Sequence, residues 1–524
     1  MMRLVLLVPL VLLGCTATSQ TVSDEDITQL TVQELRSALG RGDVSATEVT
    51  QAFLLRIQNI DDTGPKLNAV LEINPDALNI AQALDTKKAA GETLGPLHGI
   101  PVLLKANIDT GDKMATHAGS LALLNHYAKK DAFHVAKLRE AGAIVLGKTN
   151  LSEWANFRSE NSVSGWSSVG GQTKNPYGID RNPCGSSSGS GVAVSARLAP
   201  LAVGTETDGS IVCPSGVNGI VGIKPSIGLV SRSGIIPIAH TQDTAGPMAN
   251  SVYGAALMLE SMVGKDSADT ASVTTSAEYA PDVDGLRLDG VRIGVWRGYF
   301  GSNNASVTQI FDQSIKALTD LGADIVDPIE LEVPNDVGGA EYQVLLYEFK
   351  AGLNAYLASH DVDESVNSLA KLIEFNNAHK DTAMPIFGQE IFLLAEDKGD
   401  LESEEYLEAL QNSHHKMRSI LDDVFAANDL DVILAPTNGP SWKIDWVNGD
   451  FFGLSSSRLA AVSGYASVTV PAGFVHDLPI GVSFIGAGFS EKNLIQYAYA
   501  FEQKTKARKD PDFLSNIKLE DDLN

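Results

Sequence analysis

Two features of the sequence predict an α/β fold around a mixed β-sheet: short apolar runs alternate with helical stretches, and a glycine-rich region interrupts them. The runs at 100–104 and 143–146 have strand character, and residues 132–141 between them have helical spacing. The glycine-rich region covers residues 184–228. Strands alternating with helices in this way are typical of α/β domains. Further patterns predict strands at 290–296, 324–326, 431–437, 467–471 and 480–486 and helices at 306–321 and 491–503.

Residues 28–90 come before this alternation and are predicted to be largely helical. Thr31-Val-Gln-Glu34 and Ser45-Ala-Thr-Glu48 each match a capping box, in which a hydroxyl and a carboxylate satisfy the first N–H groups of a helix. Apolar residues such as Val49 and Phe53 then follow at helical spacing. Residues 335–430 are also predicted to be helical, and we interpret them as a wall of the pocket.

Composition limits the classes of protein to which the chain can belong. It has 524 residues, of which 44% are hydrophobic, so it can bury a large core and is not a disordered protein. The formal charge of −26 argues against a nucleic-acid partner, because a phosphate backbone attracts basic surfaces. Neither an internal repeat nor a long linker divides the chain, and residues 511–524 form an acidic C-terminal tail.

The first residues have the pattern of an export signal. One arginine is followed by an apolar run and then by Leu12-Leu-Gly-Cys15, and the run is too short to span a bilayer as a helix. We therefore predict a signal peptide at 1–14. The tetrapeptide resembles the cleavage box of bacterial lipoproteins, which predicts a lipidated Cys15, a polar tether at 15–27 and a periplasmic or membrane-attached protein. Simple removal of the signal is the alternative.

Several motif matches fail on physical grounds. Gly142-Ala-Ile-Val-Leu-Gly-Lys-Thr149 has the letters of a phosphate-binding loop, but its middle positions are strand formers rather than a flexible cradle. The serine-x-x-lysine patterns at 368–371 and 413–416 lie in polar helical stretches. No cluster of histidines and carboxylates has the spacing of a metal site, so we predict no metal and no cofactor.

Three segments together predict nucleophilic catalysis without a histidine. Lys105 follows an apolar strand, and two segments rich in small residues are found at 184–191 and 204–211. A serine needs a base within hydrogen-bonding distance, and a desolvated lysine can supply one. The pattern Gly185-Ser-Ser-Ser-Gly189 also fits a nucleophile elbow with Ser187 as the nucleophile, an alternative that requires a partner histidine from further along the chain.

With these motifs the chain resembles the amidase signature family from about residue 68 to residue 503. That resemblance implies a mixed, twisted β-sheet core with helices on both faces, in an amidase domain that we place at 28–510. It also implies a Ser-Ser-Lys triad of Lys105, Ser186 and Ser210, in which the bridging serine lies in a cis peptide. Ser186 is preferred because it lies 24 residues before Ser210, the spacing of the family (210 − 186). A shift of one residue to Ser187 is the alternative.

In the expected chemistry, Ser210 attacks the carbonyl carbon, Ser186 transfers its proton and Lys105 accepts it. The backbone N–H groups of Thr207, Asp208, Gly209 and Ser210, at the start of a helix, are expected to stabilise the oxyanion. Cys184 and Cys213 lie inside the same two segments, and the sequence leaves open whether they form a disulfide or remain two buried thiols.

Two positions depart from the common family pattern. Ala106 follows the lysine where an aspartate is frequent, and Val212 stands where the amidotransferase and fatty-acid-amide branches have an arginine. The segments Thr205-Glu-Thr-Asp-Gly-Ser-Ile211 and Phe387-Gly-Gln-Glu390 make the chain look closer to the peptide-amidase-like branch. We therefore expect an exported amidase acting on a small-molecule or peptide amide. The alternatives are a non-catalytic binding protein on the same fold and a protein like the catalytic subunit of an amidotransferase.

Overall fold

The computed structural model describes residues 23–275, 278–301 and 304–517. The predicted signal peptide, Cys15 and most of the predicted tether lie outside the described residues, as do residues 518–524 of the predicted tail. Residues 511–517 pack beside 176–179, where Ile179 N donates to Leu514 O at 2.9 Å. Helix α1 (Asp24–Gln29) begins inside the segment predicted as a tether. No helix within the described ranges is long and apolar enough to cross a membrane.

The centre of the molecule is a mixed sheet of eleven strands in the order β1-β3-β2-β6-β8-β7-β14-β15-β12-β9-β11. The strands in chain order are β1 (Val70–Ile73), β2 (Pro101–Lys105), β3 (Ile144–Thr149), β4 (Trp166–Ser167), β5 (Gly171–Gln172), β6 (Leu201–Glu206), β7 (Val221–Lys224), β8 (Thr244–Ala249), β9 (Arg292–Val295), β10 (Phe300–Gly301), β11 (Asp324–Val326), β12 (Val432–Pro436), β13 (Leu454–Ser455), β14 (Ser467–Val475) and β15 (Leu478–Ile485). All seven strands predicted by position are present. The prediction for residues 28–90 was incomplete, because this region also contains β1.

Strand β2 lies inside the sheet, parallel to both β3 and β6, and β6 is antiparallel to β8. Every residue of β2, β3, β6 and β8 is buried. Successive side chains of a strand point to opposite faces, so a strand that is buried throughout must be covered on both faces. The α/β architecture predicted from the sequence is therefore confirmed.

The remaining helices are α2 (Val32–Arg41), α3 (Ala46–Arg56), α4 (Ala77–Ala89), α5 (Phe133–Glu140), α6 (Ser188–Ser195), α7 (Val212–Val217), α8 (Val252–Met262), α9 (Ala305–Asp320), α10 (Asp336–Ser359), α11 (Leu369–Ala378), α12 (Lys380–Ala383), α13 (Glu390–Glu396), α14 (Glu404–Leu410), α15 (Lys416–Asn428), α16 (Arg458–Ser463) and α17 (Glu491–Thr505). Both predicted capping boxes are formed, at the starts of α2 and α3. Helices α6 and α7 pack against the centre of the sheet and contact each other. Helix α6 contains the end of the first segment rich in small residues, and α7 follows directly after the second.

The region 335–430 is helical in the structure and contains α10 to α15. Its apolar side chains form a second core with residues from the loop after β3, including Trp154 and Phe157. Trp154 packs edge-on against Phe392 of α13, with ring centroids 5.5 Å apart. These helices therefore lie beside the loops at the end of β3 and form a separate wall above that part of the sheet.

Candidate active site

Lys105 is the last residue of β2 and its side chain is completely buried. Its Nζ contacts Ser186 Oγ at 2.7 Å, Thr205 Oγ1 at 2.8 Å and the Thr205 carbonyl oxygen at 3.2 Å. Thr205 belongs to β6, the strand paired in parallel with β2, so the sheet brings the lysine to both oxygens of Thr205, whereas Ser186 reaches it from the loop before α6. The amino group therefore has three hydrogen-bond partners and no contact with bulk water.

Burial lowers the pKa of Lys105 from 10.5 to about 7, because a charged ammonium is poorly solvated in this environment. The carboxylates of Asp243 and Glu206 act in the opposite direction and raise this pKa. Burial is the larger effect. A substantial fraction of Lys105 is therefore neutral near pH 7 and can accept a proton.

Ser186 is the only one of the three consecutive serines 186–188 that contacts the lysine. Ser187 Oγ donates to the Thr205 carbonyl oxygen at 3.0 Å and accepts from Thr205 N at 3.1 Å. Ser188 Oγ donates to the Cys184 carbonyl oxygen at 2.6 Å. The hydroxyls of Ser187 and Ser188 are thus hydrogen-bonded to the main chain. The geometry therefore favours Ser186 over Ser187 as the bridging serine.

The peptide bond between Gly185 and Ser186 is cis, as the family resemblance implied. The backbone at Gly185 is closely surrounded, because a Cβ placed there would lie 2.1 Å from Ser152 Oγ. Only glycine fits this position without a shift of its neighbours. The glycine before Ser186 is therefore required by packing.

Ser210 lies in the turn between β6 and α7 and lines a cavity of about 260 Å³. Its carbonyl oxygen accepts a hydrogen bond from Ser187 N at 3.2 Å, so the two segments are in contact. Among the described residues, no hydrogen bond links the side chains of Ser210 and Ser186. The structure thus joins Lys105 directly to Ser186, and of these three residues Ser210 is the one that lines the cavity.

The backbone N–H groups of residues 207–210 donate to no protein acceptor within the described part of the chain. The next two N–H groups, of Ile211 and Val212, both donate to Glu206 Oε2, at 2.6 Å and 2.9 Å. The expectation that 207–210 begins a helix was wrong, because α7 starts at Val212 and Glu206 caps it. Residues 207–210, the 207–210 loop, are a turn whose amides remain free for a ligand.

Cys184 and Cys213 form a disulfide, which settles the pairing that the sequence left open. Their Cα atoms are 6.0 Å apart. Cys184 lies two residues before Ser186, and Cys213 lies three residues after Ser210. Both cysteines line the same cavity as Ser210. The bond therefore links the two serine-bearing segments at the wall of the site.

Apart from Leu345, which lies in the region 335–430 interpreted as a pocket wall, the rest of the cavity wall comes from segments that the sequence analysis did not connect with the site. Its lining residues outside the two signature segments are Ala155, Asn156, Phe157, Ser164, Ile238, Leu345, Asp450 and Phe452. They belong to four separate stretches of chain, and nothing in the sequence indicates that these stretches meet. Thr205 and Glu206 lie within the second segment rich in small residues, but their contacts with the site depend on the fold.

The residues of the rejected motifs have structural roles. Gly142 to Thr149 contains the buried strand β3, and Lys148 Nζ bonds the Ile108 carbonyl oxygen. Ser368 caps α11 by accepting from Lys371 N at 3.3 Å, and Ser413 Oγ donates to the Ala409 carbonyl oxygen. No group of histidine, cysteine or carboxylate side chains among the described residues has the arrangement of a metal site.

The eleven-stranded mixed sheet and the signature segments define an amidohydrolase with an α/β fold. A family model described as "Amidase" matches residues 48–495, and the chain belongs to the amidase signature family. The peptide amidase of Stenotrophomonas maltophilia is 47% identical, with a TM-score of 0.87 over 93% of this chain and 99% of that chain. The resemblance stated from the sequence is confirmed, including that to the peptide-amidase-like branch.

Two curated relatives show the breadth of this similarity. A probable amidase of Arabidopsis thaliana is 39% identical over 505 residues, covering 93% of this chain and 92% of the relative. A glutamyl-tRNA(Gln) amidotransferase subunit from Coxiella burnetii is 35% identical over 488 residues, covering 91% and 98%. The family includes proteins with different partners, so the substrate must be argued from the site.

Proposed function

We propose that the protein hydrolyses the C-terminal amide of peptides, releasing the free acid and ammonia through an acyl-enzyme on Ser210. The observation that carries this proposal is the 2.7 Å contact of the buried Lys105 amine with Ser186, beside a cavity lined by Ser210. The similarity to a protein named peptide amidase supports the substrate class. Apolar wall residues such as Ile238 and Leu345 suit an acyl group with an apolar side chain.

In the first step, Ser210 Oγ attacks the amide carbon. The Ser210 proton passes to Ser186 Oγ while the Ser186 proton passes to neutral Lys105, which becomes an ammonium. This transfer requires a hydrogen bond between the two serines, and such contacts often tighten only when substrate is bound. The N–H groups of the 207–210 loop donate to the oxyanion. Removing one such donor typically costs about 3–4 kcal/mol in the transition state.

In the second step, the ammonium of Lys105 returns a proton through Ser186 to the amide nitrogen. The C–N bond breaks, ammonia or an amine leaves, and the acyl group remains on Ser210 as an ester. Water then attacks this ester and gives its proton to the same relay. The ester C–O bond breaks, the acid is released and the Ser210 hydroxyl is restored.

Fluorophosphonate labelling followed by a substrate panel tests this proposal. We expect one adduct, on Ser210, in the wild type and none in Ser210→Ala. Ser187→Ala is the matched control and should still be labelled, since the Ser187 hydroxyl bonds only the backbone of Thr205. The panel compares peptide amides, aryl amides and fatty amides by acid release. A folded wild type that is neither labelled nor active on any amide would instead be a binding protein.

A glutaminase assay addresses the amidotransferase alternative, because one relative at 35% identity is named as an amidotransferase subunit. Val212 and the predicted signal peptide argue against that function. We expect hydrolysis of peptide amides to exceed glutamine hydrolysis in kcat/KM. Preference for glutamine would favour the amidotransferase function.

We further propose that the protein is exported and anchored through a lipidated Cys15. The disulfide between Cys184 and Cys213 supports an oxidising compartment, because such bonds are rare in the cytosol. Metabolic labelling with palmitate should tag the wild type in the membrane fraction. Cys15→Ala should lose both the label and the membrane association. An untagged wild type in the soluble periplasmic fraction would indicate simple removal of the signal.

A further inference from the structure

The 207–210 loop is held from outside the signature segments by Glu341, a buried residue of α10. Glu341 Oε1 accepts a hydrogen bond from Gln242 Nε2 at 3.1 Å. The same Gln242 Nε2 donates to the Thr207 carbonyl oxygen at 3.3 Å. Gln242 therefore connects the helix to the first residue of the loop.

A second connection runs through the side chain of Asp208. Asp208 Oδ1 accepts from Ser457 Oγ at 2.5 Å, and its carboxyl group lies against that of Glu341. Arg458, at the start of α16, places its Nε 3.2 Å from Glu341 Oε2. The charged groups that face Glu341 are thus one carboxylate on the loop and one guanidinium on α16.

The carboxylate of Asp208 repels a second negative charge on the buried Glu341, so Glu341 keeps its proton to higher pH. Burial raises the pKa of Glu341 to about 8, and the charge of Asp208 raises it as well. Arg458 and the Gln242 hydrogen bond lower it without outweighing these causes. At neutral pH, Glu341 is therefore the protonated partner and can donate to Asp208.

We propose that Glu341 is a positioning residue for amide hydrolysis, whose carboxyl proton bonds Asp208 and so keeps the 207–210 loop in place to bind the oxyanion. This inference rests on the function proposed above. When the proton is lost, two carboxylates face each other across α10 and the loop, and the loop moves away from its productive position. The loop donors act on the oxyanion, so the loss falls on kcat rather than on KM.

The test compares the pH dependence of kcat in wild type and Glu341→Gln. The glutamine amide keeps an N–H donor toward Asp208 at every pH. A group with a pKa of about 8 is roughly nine-tenths protonated at pH 7 and roughly one-tenth at pH 9. We therefore expect the ratio of E341Q to wild-type kcat to rise about tenfold between these pH values, with little change in KM. Any loss of kcat that E341Q suffers from the altered Arg458 contact is the same at both pH values. It therefore does not affect the change of the ratio with pH.

Glu348→Gln is the matched control. Glu348 is also a buried carboxyl of α10, but it accepts from Thr241 and Tyr406 and does not contact the loop. Its kcat ratio to wild type should stay flat between pH 7 and pH 9. If the kcat ratio to wild type rises in both variants, the pH effect does not come from Glu341. The same conclusion follows if circular dichroism shows that the wild type is unfolded at pH 9.

The outcomes separate this inference from the function on which it rests. An active wild type whose ratio to E341Q stays constant with pH refutes the role of Glu341 and leaves amide hydrolysis standing. A wild type without amide hydrolysis and without phosphonylation of Ser210 refutes both. Glu341→Ala should lower kcat at every pH, because neither donor nor acceptor remains for Asp208 and Gln242.

Discussion

The acidic limb of the pH–rate profile should report the protonation of Lys105. Its pKa of about 7 means that roughly nine-tenths of the enzyme is in the neutral form at pH 8 and about one-tenth at pH 6. In Glu341→Gln, which lacks the second titrating group, ammonia release should therefore fall about tenfold in kcat/KM over this interval. In the wild type, where Glu341 has a pKa of about 8, the fall should be about fivefold. In Glu341→Gln a lysine with the ordinary pKa of 10.5 would instead give a rate that keeps rising beyond pH 9.

Thr205→Val supplies the perturbation that makes this assignment specific. Thr205 Oγ1 lies 2.8 Å from Lys105 Nζ and accepts from it, which favours the ammonium form. A hydrogen bond to a charged group contributes about 1.5–3 kcal/mol, and one pKa unit corresponds to about 1.4 kcal/mol. Because neutral lysine also uses this acceptor, only part of that energy is differential. We expect the limb to move about one unit toward lower pH.

The assay is kcat/KM for one peptide amide between pH 5 and pH 8 at constant ionic strength. Lys105→Ala should have no measurable turnover and unchanged circular dichroism. The reasoning is refuted if T205V leaves the limb in place or moves it to higher pH. It is also refuted if K105A keeps both its activity and the acidic limb.

Two further predictions concern the serine segments. Ser186→Ala should abolish turnover at an unchanged melting temperature, whereas Ser187→Ala should keep the chemistry and lose about 1–2 kcal/mol of stability through its two backbone hydrogen bonds. Turnover by S186A at the wild-type rate would exclude the proposed relay. Replacing both Cys184 and Cys213 by alanine should destabilise the fold by about 3–4 kcal/mol for a loop of this length, and should lower kcat at least tenfold. Wild-type kcat in the double variant would show that the bond does not align the site.

The sequence predicted seven of the eleven strands of the sheet, among them β3 and β12, which are rich in branched apolar residues, and it gave no positions for β6, β7 and β8 in and after the glycine-rich region. It missed β1 inside a region of helices, because a four-residue strand has little periodicity of its own. It also placed the start of α7 too early. The cap of that helix is Glu206, whose carboxylate folds back over the turn, and a local pattern does not show this contact.

The site could be predicted only where its residues lie in continuous motifs. Lys105 and Ser210 are recognisable in this way. The choice between Ser186 and Ser187 as the bridging serine depends on which of the two hydroxyls is hydrogen-bonded to the Thr205 backbone. Only the tertiary structure shows this contact. The cavity wall assembles from distant segments through packing. Leu345 lies in the region 335–430 that was interpreted as a pocket wall, but Phe452 is an ordinary loop residue in the sequence.

The disulfide also has a consequence for how a substrate enters. It closes a covalent ring from Cys184 to Cys213, which contains α6, β6 and both serines. A ring braced in this way cannot open by separating its two serine segments. We therefore expect the motion that admits a substrate to occur in the opposite walls, at α10 near Leu345 and in the chain around Phe452. Hydrogen exchange should then be slow in α6 and β6 of the ring, whose amides are hydrogen-bonded, and faster in those walls, whereas the free amides of the 207–210 loop exchange fast in any case.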